Sequence, residues 1–83
     1  MKLYGKYTKV KAIREFQVFR IDDQGDLYGV VSIPEGCNGI IEARNISETE
    51  EGKVVYDILF TEGDTYISAG VDEEHFALYL EVV

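Results

Sequence analysis

Tryptophan is absent from the 83 residues, and cysteine, proline, methionine and histidine each occur once. The lone Cys37 excludes an internal disulfide and fits a reducing compartment. One cysteine and one histidine do not complete a zinc set either. No apolar run approaches the ~18 residues that a membrane-spanning helix needs. The N-terminal Met-Lys-Leu-Tyr-Gly also lacks the apolar core of a signal peptide. These absences predict a cytoplasmic protein without membrane contact, in which the Asn45-Ile46-Ser47 sequon stays unglycosylated. Neither G-x-G-x-x-G nor G-x-x-x-x-G-K-[ST] occurs, so no phosphate-cradling loop is expected.

What the chain does have is an uneven distribution of charge. Residues 1–20 hold six of the eight basic residues (Lys2, Lys6, Lys9, Lys11, Arg14 and Arg20) and one acid, whereas residues 21–83 hold two basic residues and fifteen acids. The segments carry +5 and −13, giving the net −8. Such a chain either pairs its two halves internally or offers oppositely charged faces to partners. With 46% apolar residues, six tyrosines and four phenylalanines, it predicts a folded globule rather than an acidic disordered segment. A single domain spanning 1–83 follows, with a compact core because so short a chain buries only roughly 60–65% of its unfolded surface.

The pattern is that of strands. Frequent glycines interrupt helical windows, and Val, Ile, Tyr and Phe fill the intervals. Expected strands are Leu3 to Ala12, Glu15 to Ile21, Leu27 to Ile33, Gly39 to Asn45, Lys53 to Phe60, Thr65 to Ala69 and Ala77 to Val82. The turn-rich stretch Asp22 to Asp26 joins the second to the third. Pro34 to Gly39 closes the third, and Ser47 to Gly52 is read as an acidic loop. In the fifth strand Val54, Tyr56, Ile58 and Phe60 share one face, while Val55, Asp57 and Leu59 share the other. One short helical or 3₁₀ turn over Val71 to Phe76 precedes the last strand, whose Phe76, Leu78, Leu80 and Val82 are expected to face inward.

This order, with the Gly36…Gly39-Ile40 turn entering a strand and Asp72-Glu73-Glu74-His75-Phe76 before the last one, resembles an SH3-like small β-barrel over roughly residues 27–83. The resemblance implies an all-β barrel or roll of five to seven mostly antiparallel strands with one 3₁₀ turn before the last. The acidic-aromatic loop and paired tryptophan of peptide-binding SH3 domains are absent. Gly39-Ile40 is also similar to the turn of KOW-type barrels, which often bind RNA, or ribosomal and transcription proteins. Here Glu35 and Glu42 flank it where that type carries basic residues, which argues against nucleic-acid contact by that route.

Reactive groupings are sparse. A Cys37–His75 pair oriented by Asp72 or Glu73 would need electropositive surroundings, and Glu35 and Glu42 lie near Cys37 in sequence. Asp22, Gln24 and Asp26 open like a calcium loop, but the twelfth position is Ile33 rather than a bidentate glutamate. Asp57 is the best candidate for a perturbed carboxylate, and alternation makes it an outward residue of an amphipathic strand. The sequence therefore predicts no catalytic residues, no cofactor and no metal site.

The expected function is non-catalytic protein binding or adaptation through a tyrosine-bearing surface, with Tyr4, Tyr7, Tyr28, Tyr66 and Tyr79 as contact residues. An alternative is an acidic, DNA-mimicking inhibitor using Glu48, Glu50, Glu51, Asp72, Glu73 and Glu74. A third reading is nucleic-acid binding by the basic segment, where Lys2, Lys6, Lys9 and Lys11 interleave with Tyr4 and Tyr7. Net charge makes that one less favoured. The preferred account of those lysines is that they protect an edge strand from pairing. Self-association by exchange of either chain end is a further option.

Overall fold

A computed structural model describes residues 4–22, 24, 26–46 and 53–83. Among these, seven strands and one helix follow in order: β1 (Lys9–Ala12), β2 (Phe16–Ile21), β3 (Leu27–Ile33), β4 (Asn38–Ile46), β5 (Val54–Glu62), β6 (Thr65–Asp72), α1 (Glu73–Tyr79) and β7 (Leu80–Val82). They form one antiparallel sheet in the order β3-β2-β6-β5-β4-β1-β7. Pairing runs from β3 at one edge to β7 at the other and does not close the sheet. No helix among the described residues is long and apolar enough to cross a membrane.

The centre is the β4–β5–β6 meander. Val54, Tyr56, Ile58 and Phe60 are all buried, and Val55, Asp57 and Leu59 are half-buried on the opposite face. Cross-strand partners extend the inner layer, with Ile41 and Ala69 beside Ile58, and Gly39 and Ile67 beside Phe60. Phe16 meets Phe60 edge-on at 6.1 Å and stacks flat on Tyr79 at 4.8 Å. A second aromatic group joins Tyr4, Tyr56 and Phe76, with Phe76 centroids 5.1 and 5.0 Å from the two tyrosine rings. The burial of these rings ties α1 and the N-terminal segment to the sheet.

Three expectations change. Residues 4–8, before β1, are not strand: the Thr8 N–H and hydroxyl both donate to the Gly5 carbonyl, closing a turn, and strand pairing with β4 starts at Lys9. β1 then lies between β4 and β7, so its lysines do not guard an edge. At the C-terminus a helix runs through Tyr79 and leaves β7 only three residues. The Asp72 carboxylate accepts from the His75 N–H at 2.8 Å, and Glu73 and Glu74 occupy the first turn where the helix dipole favours acids. Burial follows helical spacing: Phe76 and Leu80 are inside, whereas Leu78 and Val82, expected inward, are exposed. The acidic loop Ser47 to Gly52 lies outside the described residues.

Candidate binding surface on the β2–β3 hairpin

Among the described residues, exposed large apolar side chains concentrate on β2 and β3. Phe19 (54%), Leu27 (57%), Tyr28 (47%) and Val30 (57%) are exposed together on this one hairpin. Its turn is held by Asp22, whose Oδ1 accepts from the Gln24 and Asp26 N–H groups, each at 2.9 Å. That carboxylate, considered above as a calcium-loop ligand, is thus the organiser of the turn. Near the core, Phe16 pairs with Ile33 and Val18 with Val31 on the inner face, while Phe19 pairs with Val30 on the outer face.

The register then shifts, since Phe19 opposes Val30 but Arg20 opposes Tyr28. Gly29 is the extra residue, at φ 54°, a region that favours glycine. The bulge sets Tyr28 beside Arg20, whose guanidinium lies 5.5 Å from the ring centroid, and Leu27 beside Ile21 on the face of Phe19. An apolar ledge of Phe19, Ile21, Leu27 and Val30 therefore runs along one face of the outer half of the hairpin, and Tyr28 with Arg20 lies on the other.

Across β6 the ledge meets Gly70. A Cβ there would stand 3.1 Å from Leu27 Cδ2 and 3.4 Å from Ile21 Cδ1, so both side chains occupy room that the glycine leaves. Register places Ala43, Asp57, Gly70, Phe19 and Val30 in one row on this outer face. Burial pushes the Asp57 carboxyl above the usual carboxylate range, and the Asn45 side-chain N–H, 3.2 Å from Oδ2, pulls only partly the other way. A raised folded-state pKa contributes stability below the unfolded value, and this is lost as pH rises through the folded value. Asp57→Asn is expected to raise the urea midpoint at pH 7 and to change it little at pH 3. An equal shift at both pH values would show that the carboxylate charge is not the cause.

The other tyrosines divide by environment. Tyr4 and Tyr79 are half-buried and pack against the core. Tyr66 is exposed on β6 opposite Thr61. Tyr7 is 72% exposed with Lys6 Nζ 5.1 Å from its ring centroid, and it adopts φ 72°, which costs a non-glycine residue roughly 1–2 kcal/mol. Its N–H donates to the Ile41 carbonyl at 2.7 Å, which fixes the strained turn against β4. Tyr7→Gly is expected to leave the domain as stable or up to about 1 kcal/mol more stable, as read from urea unfolding. A loss above that size would mean that the exposed ring packs usefully.

Cys37 and His75 stand at opposite ends of β5. The Cys37 thiol is buried and donates to the Thr61 carbonyl at 3.2 Å, while His75 Nδ1 lies 2.7 Å from Oδ1 of Asp72, which pairs with Val55. Six residues of strand separate those anchors, on the order of 20 Å. Burial and the Glu62 charge push the thiol up, disfavouring the thiolate. Burial also pushes Asp72 up, but the His75 N–H, ring and charge, with Lys53, outweigh it and hold the carboxyl low.

Of the acidic set, Glu48, Glu50 and Glu51 lie outside the described residues, and Asp72, Glu73 and Glu74 form the start of α1. Beside α1 is an open cleft of about 540 Å³ lined by Tyr4, Tyr56, Glu73 and Glu81 among others. Glu73 Oε2 is buried there without a hydrogen-bond partner among the described residues. Phe19, Leu27 and Val30 escape a search for tyrosines. Leu27 and Val30 belong to a seven-residue strand with no charged side chain, which sits at the sheet edge, and Phe19 lies opposite Val30 on β2. Comparison of this chain with protein-family models, curated proteins and solved structures finds no match.

Proposed function

We propose that this domain is a non-catalytic protein-binding module whose contact surface is the β2–β3 hairpin, with Tyr28 and Arg20 on one side and Phe19, Leu27 and Val30 on the other. The observation that carries the reading is the concentration of exposed large apolar side chains on this hairpin. Contiguous exposed apolar patches mark interaction sites, and aromatic residues with arginine supply most contact energy where partners meet. We further propose an SH3-like roll as the framework. The neighbours β7-β1-β4-β5-β6, with a helical turn before the last strand, support it; the roll then takes in β1 and leaves out Leu27–Ile33, unlike the span 27–83 expected from sequence, and the β2–β3 hairpin is an insertion between its first two strands.

The test is a combined Phe19→Thr, Tyr28→Thr and Val30→Thr variant, in which threonine preserves strand propensity. Pull-downs from nuclease-treated lysate, compared with the parent protein, are expected to lose specifically captured proteins by tenfold or more. Far-UV circular dichroism should be unchanged. Equal capture by a folded variant would reject the hairpin as the contact surface.

A further inference from the structure

We propose that the free edge of β3 accepts an extended segment of a partner protein as an added strand, and that this segment has an apolar centre with lysine or arginine at both ends. The proposal deepens the binding-module reading and rests on it. Among the described residues β3 has β2 as its one strand neighbour. In an antiparallel ladder alternate residues direct their N–H and C=O groups to each side, so part of the β3 backbone faces away from the sheet. Seven residues present an edge about 24 Å long.

Features that keep an edge from pairing are a short strand, a charge, a proline or a bulge, and the bulge at Gly29 restricts regular pairing on β3 to Val30 to Ile33. β7, the opposite edge, is three residues long and carries Glu81. β3 has no charged residue and no proline in Leu-Tyr-Gly-Val-Val-Ser-Ile. Its one irregularity, at Gly29, leaves Val30 to Ile33 in regular register with Phe16 to Phe19. Side chains on alternate sides, Val30 on one and Tyr28 on the other, give an incoming strand a surface for its own alternating residues.

Charge decides between a second copy and another protein. Asp22 and Asp26 stand before the strand and Glu35 just after it. Antiparallel pairing of two copies about Val30 would set Asp26 of each beside the Pro34-Glu35 stretch of the other. Parallel pairing in register would set like residues side by side. Acid meets acid at both ends in either arrangement, within a protein of net charge −8. A strand with basic ends is attracted at both, and the field of the whole domain steers it in.

The experiment uses the full chain and the fluorescein-labelled peptide Lys-Lys-Val-Thr-Val-Thr-Val-Lys-Lys at about 0.05 M salt, where charge screening is weak. Anisotropy is expected to show binding at least about tenfold tighter than for the peptide with glutamates at both ends. Amide hydrogen exchange should slow in β3 and not in β7. N-methylation of one alternate set of peptide residues should abolish binding and that of the other set should spare it, because only one set donates to the sheet. Equal loss from both sets, protection elsewhere, no preference for basic ends, or a sedimenting dimer that the peptide does not disperse would each overturn strand addition. If the peptide fails while lysate capture still depends on Phe19, Tyr28 and Val30, strand addition falls and the hairpin surface stands. Loss of that dependence would instead remove the binding-module reading itself.

Discussion

Phe60→Ala is expected to lower stability by about 4 kcal/mol, enough to leave the chain largely unfolded in moderate urea. The ring is fully buried at the point where four strands meet: Phe60 faces Gly39 on β4 and Ile67 on β6, and β1 reaches the same place through Val10, the other neighbour of Gly39. Large-to-small changes cost most where the surroundings cannot collapse into the space. Here one wall is a glycine with nothing to extend. Another is Phe16, held in place by the flat stack on Tyr79, so it is not free to tip into the hole. An 83-residue domain has only roughly 4–12 kcal/mol in total, on the usual range per residue. Urea unfolding followed by far-UV circular dichroism measures the change. A loss below about 2 kcal/mol would show that neighbouring side chains refill the site.

The legibility of this fold varied with the physical scale of the signal. In β5, a period of two across Val54 to Phe60 assigns the inner and outer faces without any knowledge of neighbours, and burial follows it residue by residue. The Asp22 to Asp26 turn is equally local, because a short side chain can satisfy backbone donors two and four residues on. The C-terminal segment misled because Phe76, Leu78, Leu80 and Val82 alternate like a strand. The capping of Asp72, with Glu73 and Glu74 after it, is an equally local signal that favours a helix, and it prevails through Tyr79.

Edge and centre are a different matter. Strand order depends on which segments meet in space, so β1 with its lysines reads as an edge, whereas the sheet sets it between β4 and β7 and puts the uncharged β3 at the rim. The candidate surface was visible in sequence only through Tyr28. Phe19, Leu27 and Val30 carry no mark of exposure in the sequence; the order of strands places them at the rim, and the Gly29 bulge sets the directions of Leu27 and Tyr28.

A second strong effect is expected at Gly39, where the added atom is small but the space is absent. A Cβ on Gly39 would lie 2.9 Å from Ile58 Cγ2 and 3.0 and 3.3 Å from Phe60 Cδ1 and Cε1. The first of these distances is shorter than real Cβ contacts show, and the flexible end of a long side chain is not among the neighbours, so a buried ring and a β-branched methyl must move. Gly39 does not have a positive φ, so alanine meets no backbone strain and even gains about 0.4–1 kcal/mol by restricting the unfolded chain. Overpacking of a well-filled core costs typically about 1–3 kcal/mol, which outweighs that gain. Gly39→Ala should therefore destabilise by about 1–2 kcal/mol, and Gly39→Val by more. The cause can be isolated by pairing Gly39→Ala with Phe60→Leu, which removes the ring atoms that the new methyl strikes. The double variant should be more stable than the sum of the single changes predicts, by about 1 kcal/mol, since residues in contact couple by about 0.5–3 kcal/mol. Simple additivity would mean that the cost comes from the contact with Ile58 Cγ2 or from the β1–β4–β5 ladder, and not from the space taken by the Phe60 ring.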